Sequence, residues 1–140
     1  MHSLDPAEAY RRLVRKVYHG NFALCDQFVA ADFVLHVPGV SDGTYRGPEG
    51  LRTVLQGAWA PFSSLTFRIV VGPIVQGNLL AARWLAVGVY AGGFPGAKVA
   101  PGTSVQFGGH DFFRFGDGLF VEYWGGADEG HVMNQLGMFS

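Results

Sequence analysis

The segment SVQFGGHDFFRFGDGLFVEYWGG, residues 104–126, decides the fold. Two runs rich in aromatic and β-branched residues flank Gly116-Asp117-Gly118, positions that take positive φ cheaply. This predicts a β-hairpin with strands over 104–115 and 119–126. Working toward the N-terminus, strand-forming runs at about 79–91 and 64–72 meet at a second turn, Gln76-Gly77-Asn78. The stretch Gly92–Gly102, with Pro95 and Pro101, reads as a long hairpin tip or a lid.

Before residue 63 the periodicity changes to helical. Asp5-Pro6 with Glu8 gives an N-cap followed by proline at the first helical position. Ala9, Leu13 and Val17, with Tyr10 and Val14, form one apolar stripe up to about Tyr18, and His19-Gly20-Asn21 ends it. A second helix is predicted from Phe22 to Ala30, a short strand over Phe33–Val37, and a third helix from Pro48 whose apolar side carries Leu51, Val54, Leu55, Ala58 and Trp59. Three helices followed by an antiparallel meander imply an α+β fold, helices on one face of a curved sheet. Glycines inside the strands permit strong bending, and a bent sheet over helices tends to enclose a pocket.

The 140 residues allow one domain, residues 1–140, with a core that needs no metal or disulfide staple. Charged residues are only 15% and the mean hydropathy is +0.19, which excludes a disordered chain. So little charge also suggests that a second copy covers part of the surface. A net charge of −1 without a basic cluster argues against nucleic acid. No apolar run reaches the roughly 20 residues that span a bilayer. The first six residues lack a signal pattern, and the single Cys25 fits a reducing compartment, so the chain is read as a cytoplasmic protein with no membrane partner.

Several motifs together resemble a known family. Tyr45-Arg46-Gly47-Pro48-Glu49-Gly50-Leu51, Ala82-Arg83-Trp84 with Gly88-Val89-Tyr90-Ala91-Gly92, and Asp111-Phe112-Phe113-Arg114-Phe115 followed by Glu122-Tyr123-Trp124-Gly125 are similar to the SnoaL-like polyketide cyclases. The resemblance runs from about Tyr10 to Leu136. It implies the cone-shaped α+β barrel of nuclear transport factor 2 and ketosteroid isomerase, with a mixed, mainly antiparallel sheet enclosing a pocket. It also implies a homodimer through the sheets, and intramolecular aldol ring closure without metal or organic cofactor. An aspartate that acts there as general acid/base matches Asp111, and an early-strand histidine matches His36. Histidine is common in the family where this chain has Tyr90 and Tyr123. Tyrosine titrates near pH 10, so these positions suit hydrogen-bond donation rather than proton abstraction.

Among the residues themselves, Asp111 stands in an apolar strand. Burial without a cation would raise its pKa toward useful acid/base behaviour, whereas an arginine partner or a backbone bond would make it structural. His110 should face the other side with Gln106, Phe112 and Arg114. His36 is either catalytic, as the resemblance implies, or a satisfied strand histidine. Trp84, Ala86, Gly88 and Tyr90 share one strand face and either line a cavity or pack within the sheet. Tyr18, Tyr45, Trp59, Phe113, Tyr123 and Trp124 complete the candidate substrate-binding set, and strand parity leaves open whether Tyr123 or Trp124 faces inward. Histidines 2, 19, 36, 110 and 131 lack metal-ligand spacing, Cys25 has no evident histidine partner, and Gly-x-Ser-x-Gly does not occur.

The leading functional expectation is a cofactor-free cyclase or isomerase acting on a hydrophobic polyketide-like molecule, with Asp111, His36 and Tyr90 catalytic. An epoxide-opening cyclase or hydrolase would use the same groups. Oxygenation without a cofactor and a non-catalytic binding or dimerisation module are the other classes.

Overall fold

Asp5 opens the first helix by accepting the Glu8 N–H at 2.8 Å, with Pro6 behind it. The computed structural model describes residues 5–139, and His2 lies outside the described residues with the rest of the leading segment. Helix α1 (Pro6–Arg12) runs directly into a π-helical segment, Leu13–Tyr18. In an unbroken α-helix, residues 10 and 18 would stand about 80° apart around the axis. Bonding of the i→i+5 type turns the chain less per residue, and both tyrosine hydroxyls arrive on one acceptor atom. His19 closes the segment. Its Nε2 accepts the Phe67 N–H at 3.0 Å, so its Nδ1 holds the proton and donates to the Val14 carbonyl at 2.7 Å.

The second helix is shorter than its periodicity predicts. A 3-10 turn (Phe22–Leu24) leads into α2 (Cys25–Phe28), and the chain is already extended at Val29. Pairing of Val29 with Phe120 draws those residues into the sheet and overrides the helical pattern. Strand β1 (Val29–His36) is followed by the short β2 (Tyr45–Arg46), and α3 (Gly47–Trp59) packs back on both.

Four long strands follow: β3 (Phe62–Gln76), β4 (Leu79–Tyr90), β5 (Ser104–Gly116) and β6 (Leu119–Ala127). In the β5–β6 turn Asp117 (φ 51°) and Gly118 (φ 83°) both take positive φ, which suits the strands' twist. β3 continues past the expected stop at Gly72-Pro73. It is an edge strand, its register shifts between Val71 and Ile74, and an edge tolerates a residue with no N–H to offer.

The sheet order is β2-β1-β6-β5-β4-β3, antiparallel except for the parallel β1–β6 pair. It is curved and open, ending at β2 and β3, in the cone shape expected of the α+β fold. A fourth helix, α4 (Glu129–Gln135), was not anticipated because Gly130 and Asn134 are poor helix formers. Asp128 caps it through the His131 N–H at 3.1 Å. The Gly92–Gly102 stretch packs beside it, with the Lys98 N–H on the Leu136 carbonyl at 2.8 Å.

The parity of β6 is settled by a bulge. Arg114 pairs with Glu122 but Phe115 with Phe120, so Val121 is an extra residue on β6. Phe120 and Tyr123 therefore both face inward despite opposite parity, and Trp124 faces out. Phe113 sits at the centre of this core against the rings of Tyr10, Phe33, Phe120 and Tyr123. The opposite sheet face exposes Val87 and Phe112, and edge strand β3 exposes Val71 and Ile74. Among the described residues no helix is long and apolar enough to cross a membrane.

Phe113→Ala should lower the unfolding free energy by about 3–5 kcal/mol, because the surrounding rings cannot close the void. Urea denaturation followed by far-UV circular dichroism measures it.

Candidate active site

Alternation along β5 turns Val105, Phe107 and Phe113 inward, and with them Asp111, which is 1% exposed. A carboxyl so placed must find partners. Tyr10 and Tyr18 each donate to Oδ2 at 2.7 Å, and Tyr123 donates to Oδ1 at 2.9 Å. Hydrogen bonds to a charged acceptor contribute about 1.5–3 kcal/mol each, more than neutral ones. Oδ1 thus carries one bond where Oδ2 carries two, and keeps a lone pair available.

Burial raises the Asp111 pKa above the ordinary carboxylate value, and the bonds from Tyr18, Tyr10 and Tyr123 offset part of the rise. All groups acting on it are neutral; no ion pair holds it ionised. Burial, and next the nearby Asp111 charge, lift the hydroxyls of Tyr10, Tyr18 and Tyr123 far above their ordinary range. These tyrosines are donors and cannot serve as bases near neutrality. The Trp84 indole favours the carboxylate too, yet completes no hydrogen bond: its Nε1 is buried without a partner.

Asp111 lies in the wall of an apolar cavity of about 560 Å³ between the sheet and the helices. Tyr18, Phe67, Trp84, Phe107 and Tyr123 surround it, and Phe94, Val132 and Leu136 contribute from the Gly92–Gly102 stretch and the C-terminal helix. Such a volume suits a small organic ligand. A more polar depression of about 600 Å³ on the other sheet face, with Arg83, His110 and Asp128, contains no buried titratable group.

The structure brings together Asp111, Tyr18, Tyr45, Trp84 and Tyr123 from the predicted set. It does not bring the others there. His36 stacks on Trp124 on the opposite side of the sheet and bridges Asp42 and Glu122, both at 2.9 Å. Those bonds, Asp42 first, raise its pKa; the stability they add is present below about pH 6.5 and fades as pH rises through the folded value. Tyr90 shares the face of Trp84, but lies eight residues beyond Ala82, the partner of Asp111, a separation of about 26 Å along the strand. Its hydroxyl accepts the Phe94 N–H at 2.9 Å and so anchors the Gly92–Gly102 stretch. Trp59 donates to the Tyr18 carbonyl at 2.9 Å, supporting the end of the π-helical segment from behind. Phe113 is core, and Trp124 lies under Arg114 on the outer face.

Sequence reasoning missed Tyr10, which read as one more residue of an apolar stripe. The signal was its hydroxyl, since a buried tyrosine needs a partner for it. Among the described residues no group of three histidine, cysteine, aspartate or glutamate side chains could hold a metal ion. Cys25 is buried and its thiol pushed up by burial, away from nucleophile chemistry.

The sequence profile of the SnoaL-like polyketide cyclases matches residues 7–136. Among solved structures, the chain is similar to IdmH of Streptomyces antibioticus, provisionally described as a polyketide cyclase: 28% identity over 96% of this chain and 99% of that one, TM-score 0.81. A protein of Acidithiobacillus ferrooxidans with the same provisional description is 22% identical over 100% of both chains, TM-score 0.80. AclR of Streptomyces galilaeus, provisionally described as a hydroxylase, is 17% identical over 93% of this chain and 79% of that one, TM-score 0.77. The last two likenesses bear on the fold alone. No curated protein matches the chain.

Two outcomes follow from the carboxyl's surroundings. Tyr123→Phe should move the Asp111 pKa further up, read from the pH titration of its carboxyl carbon resonance by NMR. Because the folded pKa of Asp111 exceeds its unfolded value of about 3.9, its contribution favours the fold below that pH and declines as pH rises. The melting temperature of the wild type, relative to Asp111→Asn, should therefore fall as pH rises through the folded pKa.

Proposed function

Because the chain belongs to the SnoaL-like polyketide cyclase family, we propose that it is an enzyme that closes a ring in a hydrophobic, polyketide-like small molecule, with Asp111 as general base and no metal or organic cofactor. The observation that carries this reading is a carboxyl 1% exposed, bonded only to neutral donors, in the wall of an apolar cavity. Such a group can take a proton from a carbon beside a carbonyl and return it to the alkoxide formed when the enolate attacks a second carbonyl of the same chain. Oδ1, with one bond, is the receiving atom. The aromatic walls would hold the chain folded so that its reacting carbons meet, which is where an enclosed site gains most over water.

His36 and Tyr90 drop out of the catalytic set in this reading, because neither reaches the carboxyl. Tyr18 and Tyr123, expected to bind substrate, and Tyr10, read as core, take a different part in this reading. Their protons are spent on Asp111, so they tune its basicity and fix its orientation.

Epoxide opening by an internal hydroxyl is the second reading, favoured by the burial that shifts Asp111 toward its protonated, acid form. Direction of the pH dependence separates the two. The base reading expects kcat/KM to rise with pH through a midpoint above the usual carboxylate range, and the acid reading expects it to fall. Asp111→Asn should keep the fold and lose about 10²–10⁴-fold in kcat. Turnover at the wild-type rate in that variant would end both readings.

The outer sheet face, with Phe112 52% and Val87 42% exposed, is proposed as the seat of a second copy in a reducing, cytoplasmic setting. Phe112→Arg should convert a dimer to a monomer in sedimentation velocity, while Asp111→Asn should leave the assembly unchanged.

A further inference from the structure

The cavity holds a donor that completes no hydrogen bond, although the Asp111 carboxyl stands near it. Trp84 is 5% exposed, and its Nε1 is the buried side-chain polar atom without a partner among the described residues. A buried N–H left unpaired is costly, and such groups persist where something outside the chain satisfies them. The indole borders the same cavity as Asp111. Register makes the two neighbours: Asp111 pairs with Ala82 and Trp84 with Gly109, so both side chains stand on one face in a diagonal relation about 7–8 Å apart at their roots.

The indole's placement is specified rather than incidental. It lies against the backbone of β5 at Gly109, where an added Cβ would come within 2.1 Å of Cζ2. Phe67 and Phe107 meet its ring edge-on with centroids at 5.0 and 5.8 Å. These contacts fix the plane of the ring and hence the direction of the N–H.

We propose that Trp84 Nε1 is the positioning donor for the substrate's carbonyl oxygen, and that the ligand class is an enolisable ketone carried on an apolar, ring-sized skeleton. This rests on the reading of Asp111 as base. When Oδ1 takes the proton from the carbon beside the carbonyl, the C–H electron pair moves into the C–C bond and the carbonyl π pair onto oxygen. The negative charge then stands on an oxygen that must be steadied by a donor. Tyr10, Tyr18 and Tyr123 already direct their hydroxyl hydrogen bonds to the carboxyl. The Trp84 N–H remains. It donates without transferring its proton, so no further co-reactant is needed.

The test uses 2-tetralone, a bicyclic ketone, against tetralin, the same skeleton without the oxygen. In the wild type 2-tetralone should bind about five-fold more tightly than tetralin, the worth of one good hydrogen bond. The indole ¹H–¹⁵N resonance of Trp84, identified by its loss in Trp84→Phe, should move downfield with 2-tetralone and not with tetralin. Trp84→Phe keeps an aromatic wall but no donor, and there the ketone's preference over tetralin should vanish. Should that variant not fold, the wild-type indole resonance, assigned through its own backbone amide, decides. A ketone that binds no better than tetralin, does not bind, or leaves the indole resonance unmoved overturns the proposal. Deuterium exchange at the ketone's α-carbon in D₂O reports separately on Asp111. Exchange lost in Asp111→Asn supports the base reading whatever Trp84 does, and an indole shift without exchange keeps Trp84 as a ligand donor while removing the base.

Discussion

A carboxyl group placed 1% exposed in an apolar interior has to be met by donors, and much of this molecule is arranged to supply them. Three come from three separate pieces of chain: Tyr10 from the first helix, Tyr18 from the π-helical segment after it, and Tyr123 from the last strand. Two of these pieces carry a local irregularity that aims the hydroxyl. The π-helical widening swings Tyr18 into line with Tyr10, and the bulge at Val121 turns Tyr123 inward beside Phe120. π-segments and bulges break regular hydrogen bonding and recur at functional sites. Here both serve a single aspartate.

Supporting contacts extend outward from that cluster. His19 caps the widened helix and ties it to β3 through the Phe67 N–H, while Trp59 holds the Tyr18 carbonyl. Phe67 in turn meets both Tyr18 and Trp84 edge-on. Tyr18 and Tyr123, which hold the acid, therefore also shape the cavity wall, together with Phe67 and Trp84. On the opposite sheet face a second polar group, His36 with Asp42 and Glu122, is built on ordinary surface ion pairing and does not line the cavity.

The strand–turn–strand reading of residues 104–126, the switch from helical to strand periodicity near residue 63, and the inward parity of Asp111 were all legible, because each depends on spacing of two to four residues along the chain. So was the side of His110, Gln106 and Phe112. Where the reading failed, a tertiary contact had overruled a local preference. Val29 left its helical pattern to pair with Phe120, and β3 ran through Pro73 because its outer edge has no neighbour to disappoint. The resemblance that named Asp111 also named His36, and only the register of β1 on β6, His36 beside Trp124, placed that ring on the far side.

What the sequence determined by itself is the class of fold and the aromatic character of its strands, since periodicity and composition are properties of the chain alone; the aspartate was singled out by the family resemblance. The identity of the aspartate's partners was decided by tertiary structure. Tyr10 and Tyr18 stand 101 and 93 residues from Asp111, and nothing in the sequence between them encodes that distance. The same holds for Trp84. Its indole belongs to a pattern of alternating strand residues like any other, and only the packing of β4 against β5 and the surrounding rings leaves its Nε1 buried at the cavity without a hydrogen-bond partner.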